Sequence, residues 1–142
     1  MARRALLTLA VVTLSSCWKR DYVVQPKLDF EVRDAAGPIS GAKVRLLTST
    51  DPHHRREALV DVVTDARGLA SLEEKHERVW IFPLVMHGVP FYSWQWCVEA
   101  PGFAAQVSDR RVYPSGGLTV QLVTSAEAQT CVESGGDFAI VK

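Results

Sequence analysis

Three cysteines carry the most distinctive chemistry in this chain of 142 residues. Cys17 stands directly after Leu14-Ser15-Ser16, and Cys97 and Cys131 lie 34 residues apart in the second half. A thiolate can take an acyl or alkyl group, close a disulfide or ligate a metal. Metal binding is the weakest of these, because no Cys-x-x-Cys pair is present and two cysteines so far apart make a poor zinc motif. His53 and His54 are adjacent, so on a strand they would point to opposite faces and form a poor clamp. No Gly-x-Ser-x-Gly, His-Glu-x-x-His or phosphate-cradling glycine loop occurs. The carboxylates Asp61, Asp65, Glu73, Glu74, Glu99 and Asp109 are spread along the chain, and sequence alone brings no two of them together. They are assigned to solvation and turn bonding, with Asp65 capping the turn to Gly68. No cofactor, metal or catalytic residue is expected.

The residues before Cys17 give that thiol a context. Arg3 and Arg4 precede the apolar run Ala5 to Leu14, and Leu14-Ser15-Ser16-Cys17 is an aliphatic residue, two small residues and a cysteine. This segment resembles a bacterial lipoprotein signal peptide with its lipobox. This run of ten residues, eight of them apolar, is about half of the ~20 that a helix needs to cross a bilayer, so a transmembrane anchor is not expected. The resemblance implies that residues 1–16 are removed, that Cys17 takes a diacylglycerol thioether, and that its new amino group is acylated. The mature chain would then be tethered to the lipid bilayer by several acyl chains, each buried methylene contributing roughly 0.8 kcal/mol. Ordinary signal-peptidase cleavage, leaving Cys17 as a free thiol, is the alternative. In the enterobacterial sorting rule an Asp after the lipidated Cys retains the protein at the inner membrane. Trp18 stands there instead, which points to the outer membrane, facing the periplasm.

Without residues 1–16 the chain keeps 126 residues, enough for one domain with a sizeable core. Losing Arg3 and Arg4 leaves 14 basic against 16 acidic residues, a formal charge of −2. Nucleic acid is not indicated as a partner. The densest basic spot, His53 to Arg56, is flanked by Asp51 and Glu57 and reads as a solvated loop. In an exported chain the pair Cys97 and Cys131 reads as a disulfide. The alternative is a buried Cys97 and an unpaired thiol in the tail.

These residues need a scaffold, and the pattern is one of short apolar runs between turns. Residues 17–26 read as a membrane-proximal tether, whose nine residues from Trp18 reach at most about 30 Å. Strands are expected at Leu28 to Val32, Ala42 to Thr48, Leu59 to Val63, Leu69 to Leu72, Phe91 to Ala100, Ala104 to Val112 and Leu118 to Val123. Residues 73–78 would make one helical turn at most, and no long helix is expected. Around Cys97 the period is two: Trp94, Trp96 and Val98 share one face, and Gln95, Cys97 and Glu99 share the other. The tryptophans would then face the core, and Cys97 would point outward to meet a tail strapped across the sheet.

Three pieces in order carry a second resemblance: Val32 to Val44 with its Gly37-Pro38 turn and Gly41-Ala42-Lys43-Val44, then Thr64-Asp65-Ala66-Arg67-Gly68, then Ala100-Pro101-Gly102-Phe103. Together they are similar to the carboxypeptidase-regulatory-like, or transthyretin-like, β-sandwich. The resemblance covers residues 27–123 and implies an all-β, seven- to eight-stranded antiparallel sandwich of Greek-key topology, with 124–142 as a C-terminal extension. The fold includes hydroxyisourate hydrolases, but their terminal Tyr-Arg-Gly-Ser is absent here. It also includes iron-dependent intradiol dioxygenases, whose paired Tyr and His motifs do not occur either.

Strict alternation fails between Val79 and Tyr92, where Pro83 also lacks the N–H of a central strand. This segment is either a covered hairpin or an exposed patch for a partner, with Trp80, Phe82, Met86, His87, Phe91 and Tyr92 as the candidate contact residues. The expected function is a lipid-anchored, non-catalytic interaction module of the bacterial envelope, with an envelope protein as partner. The alternative is an envelope enzyme or small-ligand carrier with His87, Tyr92 and Glu99 near one pocket. A carbohydrate-binding domain with Trp80 stacked on sugar is a further possibility.

Overall fold

Leu28, Phe30 and Val32 alternate with Asp29, Glu31 and Arg33, and that period of two gives a strand with one dry face, β2 (Leu28–Arg33). A computed structural model describes residues 18–51, 55–81, 91–109 and 116–142. The signal segment with Cys17, and the residues Phe82, Met86 and His87, lie outside the described residues. The described chain is all-β and holds no helix. Before β2 comes β1 (Trp18–Gln25), and after it β3 (Lys43–Asp51), β4 (Arg55–Val63), β5 (Leu69–Leu72) and β6 (Lys75–Ile81). The second half supplies β7 (Phe91–Glu99), β8 (Gln106–Val107), β9 (Gly116–Gln121), β10 (Thr130–Ser134) and β11 (Asp137–Val141).

A three-stranded sheet, β5-β2-β9, and a four-stranded sheet, β4-β3-β7-β8, enclose the main core in a sandwich-like arrangement. Leu28, Phe30 and Val32 of β2 meet Val44 and Leu46 of β3, Trp94 and Val98 of β7, and Val120 of β9. Phe30 and Trp96 stack edge to face at 5.9 Å, a geometry that the ring quadrupoles favour. The tryptophan parity expected from sequence is the observed one.

Three expectations need correction. The three-stranded sheet is mixed, because β9 runs parallel to β2, Leu28 opposite Gly116 through Arg33 opposite Gln121. Parallel neighbours need a long crossover, and here the whole of the opposite sheet intervenes in sequence. Among the described residues eleven strands form, seven of them in the two sheets of the sandwich. The added ones come from segments whose apolar alternation is weak. Residues 18–25, expected within a tether, form β1, and residues 75–78, expected as a helical turn at most, belong to β6; each strand supplies the backbone ladder that the other lacks. The C-terminal extension folds into the β10–β11 hairpin.

The turns that suggested the fold interlock. Gly68 carries φ +73°, and a Cβ there would lie 2.5 Å from the Val32 carbonyl oxygen. Val32 N–H donates to the Gly68 carbonyl, and Ile39 N–H donates to that of Val32. The Thr64 hydroxyl donates to the Ile39 carbonyl and accepts from Ala42 N–H, joining the first turn to the second. Asp65 Oδ1 accepts from the backbone of Arg67 and Leu69, at 2.8 and 2.9 Å. Those bonds, that from Leu69 first, hold its carboxyl below the ordinary value. A depressed carboxylate contributes stability that is present above the unfolded value and lost as the pH falls through the folded one. The melting-temperature advantage of the wild type over Asp65→Ala should therefore be flat near neutrality and shrink below pH 3.8. An advantage that persists undiminished in strong acid would contradict this role.

Candidate functional site

The outward positions of β3 and β7 are Arg45, Leu47 and Ser49 beside Gln95, Cys97 and Glu99, because residues two apart share a face. On an uncovered sheet these six would meet water. Here the tail covers them. Gly135 and Gly136, with φ +63° and +86°, close a two-residue turn between Ser134 and Asp137, the left-handed pair that a tight hairpin requires. The hairpin lays Cys131 and Phe138 on Leu47, Cys97 and Ala105, forming a second buried cluster. Cys97 and Cys131 are joined as a disulfide, with Cα atoms 6.2 Å apart and both residues buried.

Polar side chains finish the strap. Gln95 accepts from Phe138 N–H at 2.6 Å and donates to the Ser108 carbonyl. The Ser49 hydroxyl donates to the Gly136 carbonyl. Glu99 takes Cys131 N–H on Oε2 at 2.7 Å, and its Oε1 lies 3.4 Å from Arg45 Nη2. Arg45 Nη1 donates to the Cys131 carbonyl at 2.6 Å. Lys43 and Asp61 extend this row of charges across β3 and β4, 3.0 Å apart. Arg45 Nε is buried and faces Asp61 at 3.8 Å, beyond hydrogen-bonding distance. Glu99 thus holds the tail through Oε2 and faces Arg45 through Oε1, and it serves as a strut between the sheet and the hairpin.

A groove of about 410 Å³ opens beside this network, between the Ala100-Pro101-Gly102 bend and residues 128–130. Glu99 and Lys43 stand at its wall, and Gly41, Gly102 and Ala128 leave much of its lining to backbone. Such a groove can hold a chain or small molecule by shape and backbone hydrogen bonds, but its charged groups already have partners. Among the described residues no group of three or more His, Cys, Asp or Glu could hold a metal ion.

Among the described residues, Phe91 and Tyr92 lie at the end of β7 opposite to Glu99. Tyr92 packs on Tyr22 of β1 with ring centroids 6.1 Å apart, and Phe91 is 62% exposed. Trp80 stands opposite Lys19 in the β1–β6 register. The Trp94 indole and the Thr48 hydroxyl both donate to the Val24 carbonyl, fastening β1 to the sandwich. One expectation fails here: Tyr92 and Glu99 share no pocket, being seven residues and therefore about 23 Å apart along β7. Sequence reasoning missed Arg45, Gln95 and Ser49 as tail-binding residues. The Gly135-Gly136 pair between two runs containing β-branched and aromatic residues was the signal that could have found the hairpin.

No family model matches this chain. No curated protein and no solved structure matches it either.

Proposed function

We propose that this protein is a lipid-anchored, non-catalytic interaction module of the bacterial envelope, acylated on Cys17, held in the outer membrane facing the periplasm, and built on a transthyretin-like Greek-key sandwich. The observation that carries the reading is the fate of the polar side chains beside the groove. Glu99, the carboxylate at the groove wall, is engaged in fixing the tail, together with Arg45 and Gln95 on the same face of the sheet. The groove that remains is shaped for contact. The lipobox supports the anchor, and Trp18 of β1 follows the proposed acylation site directly in sequence.

Cys17→Ala should accumulate as unprocessed precursor or appear in the soluble fraction, and it should take up no radioactive fatty acid. Wild-type protein that fractionates as soluble and takes no label would overturn the anchor. Co-sedimentation with inner-membrane markers on a density gradient would overturn the outer-membrane assignment. A second reading, capture of a small ligand or carbohydrate, is favoured by the volume of the groove by Glu99 and Lys43.

A further inference from the structure

The β1–β6 ribbon changes character along its length. Its base is fixed to the sandwich by the Val24 carbonyl and by the Tyr22–Tyr92 contact. Asp21 and Arg78, cross-strand partners, then close an exposed ion pair at 2.9 Å. Beyond that pair the register is Arg20 opposite Val79, Lys19 opposite Trp80 and Trp18 opposite Ile81. These last three steps bring together two cations, two tryptophans, a valine and an isoleucine, with no acidic residue. Cys17 follows by one peptide bond.

That composition belongs to a membrane interface. Indole rings settle at headgroup level, and Lys and Arg pair with anionic lipid phosphates. Three residues of strand span about 10 Å, the scale of the polar layer flanking the hydrocarbon core. Continuity of the chain decides the occupant: with Cys17 acylated, whatever lies at Trp18 lies within one residue of the acyl chains. We propose that this end of the β1–β6 ribbon sits in the interfacial layer of the bilayer as a second, non-covalent contact. It rests on the proposed acylation of Cys17. The contact sets the orientation of the domain. The ribbon base meets the Tyr92 end of β7, so the groove beside Glu99 is turned away from the lipid, toward a periplasmic partner.

The test uses the full acylated protein, extracted from membranes and reconstituted into vesicles of phosphatidylethanolamine and phosphatidylglycerol whose acyl chains are brominated near the carboxyl end. Wild-type tryptophan fluorescence should be quenched. The Trp18→Phe/Trp80→Phe double variant should lose most of that quenching while keeping its thermal melt, because Trp94 and Trp96 belong to the sandwich core. If the double variant fails to fold, Lys19→Glu/Arg20→Glu carries the same test. Charge reversal should draw the ribbon away from anionic headgroups and reduce the quenching. Acyl label on Cys17 together with quenching no greater than in the variants overturns this inference and leaves the anchor standing. Absence of the acyl label overturns both.

Discussion

Trp94→Glu should abolish the cooperative fold. The indole is 2% exposed, packs in the main core between the sheets, and donates to the Val24 carbonyl at 3.2 Å. Truncating a buried tryptophan costs about 3–5 kcal/mol. A carboxylate in its place must also leave water without a partner, which adds several kcal/mol more or forces it to take up a proton. Set against a total stability of about 5–15 kcal/mol for an ordinary domain, the sum unfolds the chain. Circular dichroism should show no cooperative melt. The same substitution at Trp80, near the far end of the ribbon opposite Lys19, should leave the sandwich melt in place. A Trp94→Glu protein that melts cooperatively near the wild-type temperature would mean that the core has been misread.

Cys131→Ser should lose about 3–4 kcal/mol, the loop-closure contribution of a bridge enclosing this length of chain. The loss should be local as well as global. Without the bridge, the hairpin loses its covalent tie and relies on non-covalent contacts, among them its polar ties to Gln95, Ser49, Arg45 and Glu99 and the apolar contact of Phe138. The Phe138 amide, which donates to Gln95, should then exchange with deuterium far faster than amides of β2. Denaturant midpoints and exchange rates check the two parts. Two freely alkylated thiols in the native wild type, or a variant midpoint equal to that of the wild type, would contradict this account of the tail.

How much of this was legible in the sequence follows from where periodicity is strong. Residues 28–32 and 94–99 each face a dry core on one side, so their alternation is clean, and it correctly gave both the inward tryptophans and the outward Cys97. The turn residues around Gly37, Gly68 and Gly102 read correctly because positive φ leaves few alternatives to glycine. β1 and β6 were opaque for the opposite reason. As a two-stranded ribbon they carry Lys19, Asp21, Glu77 and Arg78 on exposed positions, and the pairing of distant segments leaves no local mark. The parallel β2–β9 pair is equally silent, because register between strands on either side of a long crossover is written in tertiary packing. On the outer face of β3 and β7 only Cys97 was legible as the point where the tail crosses, and Glu99 read as a solvated carboxylate. Arg45, Gln95 and Glu99 became tail-binding residues only once the hairpin was laid over them.

The anchor is the claim on which function, location and orientation depend, and the intact mass of the protein extracted from membranes tests it most directly. The account predicts a chain that begins at Cys17, carries the added mass of a diacylglyceryl group and a further acyl chain on that residue, and lacks two hydrogens for the bridge between Cys97 and Cys131. A mass equal to the unmodified full-length chain, or to a cleaved chain with an unmodified Cys17, would contradict it.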